Sequence, residues 1–282
     1  MNDLSAMKAD RFGLLITIPA KPENVAVVRH AVAGLAEQLG MREPSVGDLK
    51  TVVTEACMNV VVHAYDGEEP GPLQVEASAE GEGLTVSVRD FGRGIRPTAG
   101  DERQSLRIGL TLIAALSSSF SISGGLNKGT EVTMHLLLDP AAADGAVADA
   151  DAGVAPAPEE AELRIEGRRI VAPVLERVIG ALATRHPIGI DRLNDVLLLA
   201  DAVSDGVPRA LDDGPFRFAV GDGDGGIDLR VGPLPEGASE RLREGLSLPE
   251  VGGSLEKLAD QVSVEEGEAG EYLVVRFDGA RA

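Results

Sequence analysis

From Ser45 to Ala64 apolar side chains recur around nearly the whole of a helical wheel, and within them Glu55 and Asn59 stand one turn apart. Leu49, Val52, Val53, Ala56 and Val60 make one stripe; Glu55, Asn59 and, a turn further on, His63 make another. A helix that is apolar nearly all round is buried, and a buried carboxylate is costly unless something pairs with it. That constraint puts the helix in a core with its polar stripe toward a ligand. A partly exposed helix with two surface polar residues would satisfy the same spacing, so the pair needs company before it means a site.

The company comes from three later stretches. Residues 84–88 alternate as a strand that delivers Asp90 at its end, followed by Phe91-Gly92-Arg93-Gly94-Ile95. A carboxylate at a strand end, where ligand sites gather, can accept from an exocyclic adenine amine, and Gly92 and Gly94 let backbone approach a flat ring. Taken alone, D-x-G-x-G equally suits a tight turn. Next, a helix is predicted to open at Gly109-Leu110 after a polar, irregular stretch over 96–107, offering N–H groups to phosphate. Last, Lys128-Gly129-Thr130-Glu131 begins a strand. Arg93, Arg96, Arg103 and Arg107 lie between the second and third stretches, where triphosphate charge needs compensation. A hard cation, Mg²⁺, linking the Asn59 carbonyl oxygen to phosphates suits the first stretch. Glu55 could then accept a proton from an attacking hydroxyl or orient it. In this order the four stretches describe one pocket for ATP and Mg²⁺.

Around them the pattern is β-α-α-β-β-loop-α-β-β. It predicts strands over 14–18, 73–79, 84–90, 120–123 and 130–138, and helices from Pro22 to Leu39, from Ser45 to about Ala64, and from Gly109. Asp66-Gly67 is read as the end of the second helix and Glu80–Gly83 as a hairpin. The expected fold class is an α/β (α+β) two-layer sandwich, helices on one face of a mixed sheet. Residues 139–160, rich in Ala, Asp and Pro without periodicity, read as a mostly disordered linker. Beyond it the same order returns about 145 positions on: strand 163–165, helices 173–183 and 192–207, strands 216–220 and 227–231, helical stretches through Leu242 and over 255–259, strands 262–264 and 272–277. On that overlay Pro233 falls at the Asp90 position, and Asp201 and Asp205 faintly echo Glu55 and Asn59. The expected domains are thus 10–138, with the nucleotide site, and 161–282, a degenerate, nucleotide-free copy. The run 221–226 reads as a hairpin turn rather than a calcium loop, since it lacks a closing Glu.

Composition narrows the partners. Aromatics make up 3% of the 282 residues, with no Trp, which gives no stacking platform for nucleic acid. The net charge of -20 disfavours nucleic-acid backbones and anionic membrane alike. Residues 1–138 hold 17 acidic and 12 basic side chains, and 139–282 hold 29 and 14, so the second half is the acidic one. A single cysteine, Cys57, excludes an internal disulfide and reads as core filling. No apolar run of about 18 residues and no basic-then-apolar leader is present, so a soluble, cytoplasmic chain is expected.

The residues over about 10–138 resemble the GHKL ATPase/kinase superfamily (gyrase, histidine kinases, the heat-shock chaperone ATPase, the mismatch-repair ATPase). Within it they are most similar to the anti-sigma-factor serine/threonine kinases. Glu55-Ala56…Asn59…His63-Ala64-Tyr65 matches the N box, Asp90 to Ile95 the G1 box, Gly109-Leu110 the G2 region, and Gly129-Thr130 the closing motif. The resemblance implies a Bergerat-type site: Asn59 on Mg²⁺, Glu55 as base or water-positioning residue, Asp90 on adenine, and His63 either below the pocket or on phosphate. It also implies an anti-anti-sigma (STAS-type) partner phosphorylated on Ser or Thr, a sequestered sigma factor, or both, and either a homodimer or a pseudo-dimer within the chain. One departure stands out: Arg107-Ile108-Gly109 replaces the family's Gly-x-Gly at the end of the lid, removing a permissive hinge while offering arginine to phosphate. An ATP-sensing interaction module without catalysis is the alternative.

Overall fold

Two antiparallel helices between paired strands return the chain to the end of the sheet it left, and this sets the topology. The computed structural model describes residues 13–65, 69–80, 83–94, 102–125, 128–138, 160–185, 190–210, 215–222, 226–246 and 255–278. Strand β1 (Gly13–Pro19) leads into α1 (Pro22–Gln38) and α2 (Ser45–His63), then β2 (Pro72–Glu80), β3 (Gly83–Asp90), α3 (Glu102–Leu116), β4 (Ser119–Gly124) and β5 (Thr130–Leu137). The second half runs β6 (Ala161–Glu166), α4 (Arg168–Ala183), α5 (Ile190–Ala210), β7 (Phe216–Asp222), β8 (Ile227–Leu234), α6 (Ala238–Gly245), a 3₁₀ turn at Leu255–Lys257, β9 (Gln261–Gly267) and β10 (Gly270–Phe277).

All ten strands join one sheet in the order β4-β5-β3-β2-β1-β6-β7-β8-β10-β9. Every neighbouring pair is antiparallel, which corrects the mixed sheet expected. The single helix α3 does carry the chain from β3 to a strand of the same direction, β4, but β5 lies between them. The helices cover one face: α1 and α2 pack on β1, β2 and β3, α4 packs on β6 and β7, and α1 and α4 pack on each other. Strand β3 alternates buried and half-buried along its whole length, as a sheet with one covered face requires. One hydrophobic core runs under both halves, from Leu84 and Met134 through Ile16 and Leu163 to Leu229 and Leu273.

Two helix starts differ from expectation. Helix α3 begins at Glu102, seven residues before Gly109, because Leu106 stands one turn before Leu110 and carries the apolar period into the polar stretch. Helix α4 begins at Arg168 and takes Pro173 into its interior, since Ile170 and Val171 belong to the same buried stripe as Val174 and Val178. The carbonyl of Pro173 faces α1: a Cβ on Gly34 would come within 2.5 Å of it. Gly34→Ala should therefore push the two halves apart, costing about 1–3 kcal/mol and lowering the melting temperature by several degrees. A thermal melt checks this; an unchanged midpoint would show that the α1–α4 seam adjusts freely. Arg185 closes one end of the seam, donating to Asn24 Oδ1 at 2.9 Å and to the Glu23 carbonyl at 2.6 Å. The linker expected over 139–160 lies outside the described residues save Glu160, and Asp66-Gly67 lies wholly outside them. In 221–226, β7 ends at Asp222 and β8 starts at Ile227, with Asp222 paired to Ile227 across the connection.

Candidate functional site

Helix α2 buries Leu49, Val52, Val53, Ala56, Cys57 and Val60 against the sheet, which leaves Glu55, Asn59 and His63 half-buried on its other side. Helix α3 closes over that side at Gly109. A Cβ there would lie 3.0 Å from Glu55 Oε2 and 3.6 Å from both amide atoms of Asn59. Gly109 is thus the point where two helices approach, and not a helix start. Its N–H is spent inside α3, because only the first four N–H groups of a helix are free. Leu110 is half-buried and packs on the core. The amide Nδ2 of Asn59 is buried with no hydrogen-bond partner among the described residues, a costly state that invites an oxygen-rich ligand.

Asp90 ends β3 at 3% exposure. Its Oδ1 accepts from the Gly92 N–H at 2.9 Å. Burial pushes its carboxyl above the ordinary carboxylate range, while the N–H groups of Gly92 and Thr130 and the Thr130 hydroxyl pull the other way. The turn after Asp90 is held from both sides. The Arg93 N–H donates to the Ala64 carbonyl at 2.9 Å, and the Gly129 N–H donates to the Gly92 carbonyl at 3.2 Å. A Cβ on Gly92 would come within 2.1 Å of that Ala64 oxygen; Gly94, at φ 69°, faces the Gly125 carbonyl, and Gly129, at φ 72°, faces the Asp90 carbonyl. These contacts explain the glycines of the D-x-G-x-G run by backbone proximity as much as by any ligand.

Tyr65 is the residue that sequence reading quoted without giving it a task. Its hydroxyl donates to the Pro72 carbonyl at 2.5 Å and accepts from the Phe91 N–H at 3.0 Å, tying the end of α2 to the ends of β2 and β3. Burial, and then the Asp90 charge, raise its phenol to about 12 against the Phe91 hydrogen bond. The available signal was a tyrosine next to the end of an apolar helix, where a buried hydroxyl needs partners. His63 gives its carbonyl to an Arg93 guanidinium N–H at 3.2 Å. Ile95 lies outside the described residues, and so does the side chain of Arg107. Cys57, wholly buried, has its thiol pushed up to about 12 by desolvation. It should stay unreactive to a thiol reagent until the chain is unfolded; rapid native-state labelling would contradict the packing.

The structure thus gathers Glu55 and Asn59 with Gly109 on one side, and Asp90 with Gly92, Gly94, Gly129 and Thr130 on the other, all joined through the end of α2. Residues 18–136 match the family described as the histidine kinase-like ATPase domain. The anti-sigma F factor of Lysinibacillus sphaericus is 30% identical over 129 residues, 43% of this chain and 88% of that protein. This chain belongs to the histidine kinase-like ATPases of the anti-sigma kinase family. Among its relatives in that family, the serine-protein kinase RsbW of Listeria innocua is 35% identical over 106 residues, 34% of this chain and 68% of that protein. The RsbW of Bacillus velezensis is 41% identical over 75 residues, 27% of this chain; the match spans about half, 47%, of that relative's length. No helix among the described residues is long and apolar enough to cross a membrane.

Proposed function

We propose that the first half binds Mg²⁺·ATP and acts as an anti-sigma regulator that phosphorylates a serine or threonine of an anti-anti-sigma partner, sequesters a sigma factor, or does both. The observation that carries this reading is Asp90, a buried carboxylate at a strand end, held in place by Gly92 and Thr130. Asp90 keeps lone pairs for the exocyclic amine of adenine. The Asn59 amide, orphaned at Nδ2, lies under Gly109, and its carbonyl oxygen would hold the cation, with phosphate and water supplying the other ligands as Mg²⁺ prefers. Bound Mg²⁺·ATP supplies a γ-phosphorus whose developing charge the cation offsets. Glu55 would take the proton of a hydroxyl attacking that phosphorus, with ADP as the leaving group. Gly92, Gly94 and Gly129 keep the backbone low around the base, while Thr130 fixes Asp90.

The second half supports a further part of the reading, that 161–282 is a degenerate copy without a nucleotide site. Its elements follow the same order as the first half, and its strand order β6-β7-β8-β10-β9 repeats β1-β2-β3-β5-β4. Where β3 ends in Asp90, β8 ends in Gly232-Pro233-Leu234, which offers no carboxylate to an adenine amine. The two halves meet edge to edge through β1 and β6, with Leu15 opposite Arg164 at the centre. An interface of this kind, built twice from the same elements, is how a two-fold dimer associates. Here one chain closes it internally, as a pseudo-dimer.

Isothermal titration of the full chain with Mg²⁺·ATP tests the binding. One site per chain is expected; absence of heat across the millimolar range would sink the reading, and two sites would sink the degenerate copy. Light scattering should find the chain monomeric, because β6 already occupies the β1 edge; a tight dimer would contradict the internal closure. Labelled ATP with the cognate anti-anti-sigma protein tests transfer. Binding without transfer would leave an ATP-sensing interaction module.

A further inference from the structure

On the face of the sheet away from the helices, the second half carries a cavity of 330 Å³, at the small end of the range for small-molecule pockets. Its floor is shallow because Ala219 on β7 and Gly232 on β8 put almost nothing above the sheet. Gly232, at φ 144°, also lets the Tyr272 ring lie close: a Cβ there would meet that ring at 2.9 Å and the Glu271 carbonyl at 2.6 Å. Around this floor stand Arg164, Arg217 and Arg230.

The three guanidiniums are not equally satisfied. Arg164 and Arg217 sit directly opposite each other on β6 and β7, an arrangement of like charges that is unfavourable without an anion nearby. Arg164 gives Nη2 to Glu166 at 2.7 Å, but its Nε is buried without a hydrogen-bond partner among the described residues. Arg230 pairs with Glu265 at 2.9 Å and lies 5.6 Å from the centre of the Tyr272 ring. Arg217 is exposed and makes no hydrogen bond or ion pair among the described residues. Glu160 and, opposite Ala219, Glu162 also line the cavity, from the start of β6. A row of opposed arginines, one with an orphaned Nε and one unpaired, is what a carboxylate or a phosphate would complete, since either can accept from two guanidiniums at once.

We propose that this cavity binds a small molecule through a carboxylate or phosphate group held between Arg164 and Arg217, against the Tyr272 ring. Glu160 and Glu162 disfavour a second negative charge at their side. The site is lined mostly by the second half, with Leu15 and Thr17 of β1 at one side, and lies on the opposite face of the sheet from α2, so it stands or falls separately from nucleotide binding. It would give the half that lacks Asp90 a ligand of its own.

The test titrates the full-length chain with sodium phosphate and, separately, sodium acetate, holding ionic strength constant with chloride, and follows the arginine Nε–Hε resonances. A saturable shift of the Arg164 Nε–Hε signal is expected with at least one probe. Phosphate alone would point to a phosphate ester, acetate alone to a carboxylic acid. Arg217→Ala, at an exposed position, should weaken that binding at least tenfold. Ala219→Leu should do the same by filling the floor while every charge stays in place. Affinity for Mg²⁺·ATP should be unchanged in both variants. Linear, unsaturable shifts with both probes would overturn the proposal. So would saturable binding that neither variant weakens, since the anion would then sit elsewhere, the nucleotide pocket included.

Discussion

Asp90→Asn should abolish measurable ATP binding, weakening it at least a hundredfold, about 3 kcal/mol, while leaving the fold intact. The amide would turn a donor toward the adenine amine where the carboxylate offered an acceptor, and a buried donor facing a donor loses the bond and gains a desolvation penalty. Stability should move little, and in a direction that depends on pH. Because burial holds the Asp90 carboxyl above its ordinary range, the folded state binds its proton more tightly than the unfolded chain does. Wild type is therefore penalised above the folded pKa and relieved as pH falls through it toward the unfolded value. Relative to Asp90→Asn, which has no such proton, wild type should gain stability on acidification from neutrality. Urea titrations of both proteins across that range check the sign. A wild type that loses ground to the variant on acidification would mean that Asp90 is stabilised as an anion in the free protein. Retained ATP affinity in the variant would remove Asp90 from the base-binding role.

Glu55→Gln should slow phosphoryl transfer by about 10²–10⁴-fold, the range of a positioned general base, with ATP affinity changed no more than about threefold. The substitution keeps the shape that meets Gly109 and removes only the capacity to take a proton. Single-turnover transfer from labelled ATP, beside calorimetry on the same variant, separates the two quantities. Transfer at the wild-type rate would sink the proposed base. Loss of affinity and transfer together would make Glu55 a binding residue instead. A Gly109→Ala comparison helps interpret either result, because its Cβ would press on the Glu55 carboxylate at 3.0 Å without altering its charge.

The element map was largely legible along the chain, for a physical reason that can be named residue by residue. Leu84, Val86 and Val88 alternate because β3 has one covered face, and Val52, Val53, Ala56 and Val60 repeat at helical steps because α2 lies on the sheet. These are local consequences of burial, and a single window contains them. The two helix starts were misread where a local cue opposed the period. A polar stretch hid Leu106 ahead of α3, and Pro173 mimicked a beginning inside α4. In α4, tertiary packing of the apolar stripe outweighed the local signal.

The site divides in the same way. Glu55 and Asn59 could be paired from their spacing, and Asp90 could be placed at a strand end from alternation alone. What surrounds each is not in the spacing: Gly109 of α3 is brought against Glu55 and Asn59, Tyr65 is bonded to Pro72 and Phe91, and Gly129 is folded onto the Asp90 carbonyl. The union of the halves is a still longer-range matter. The order of elements leads one to expect a repeat, but only the β1–β6 register joins the halves into one sheet, and only the β6–β7 register sets Arg164 opposite Arg217 on its open face. Periodicity reports what each segment buries. Which buried faces and strand edges find each other depends on backbone hydrogen bonds and close approaches between residues far apart in the chain, and these leave no pattern in any one segment.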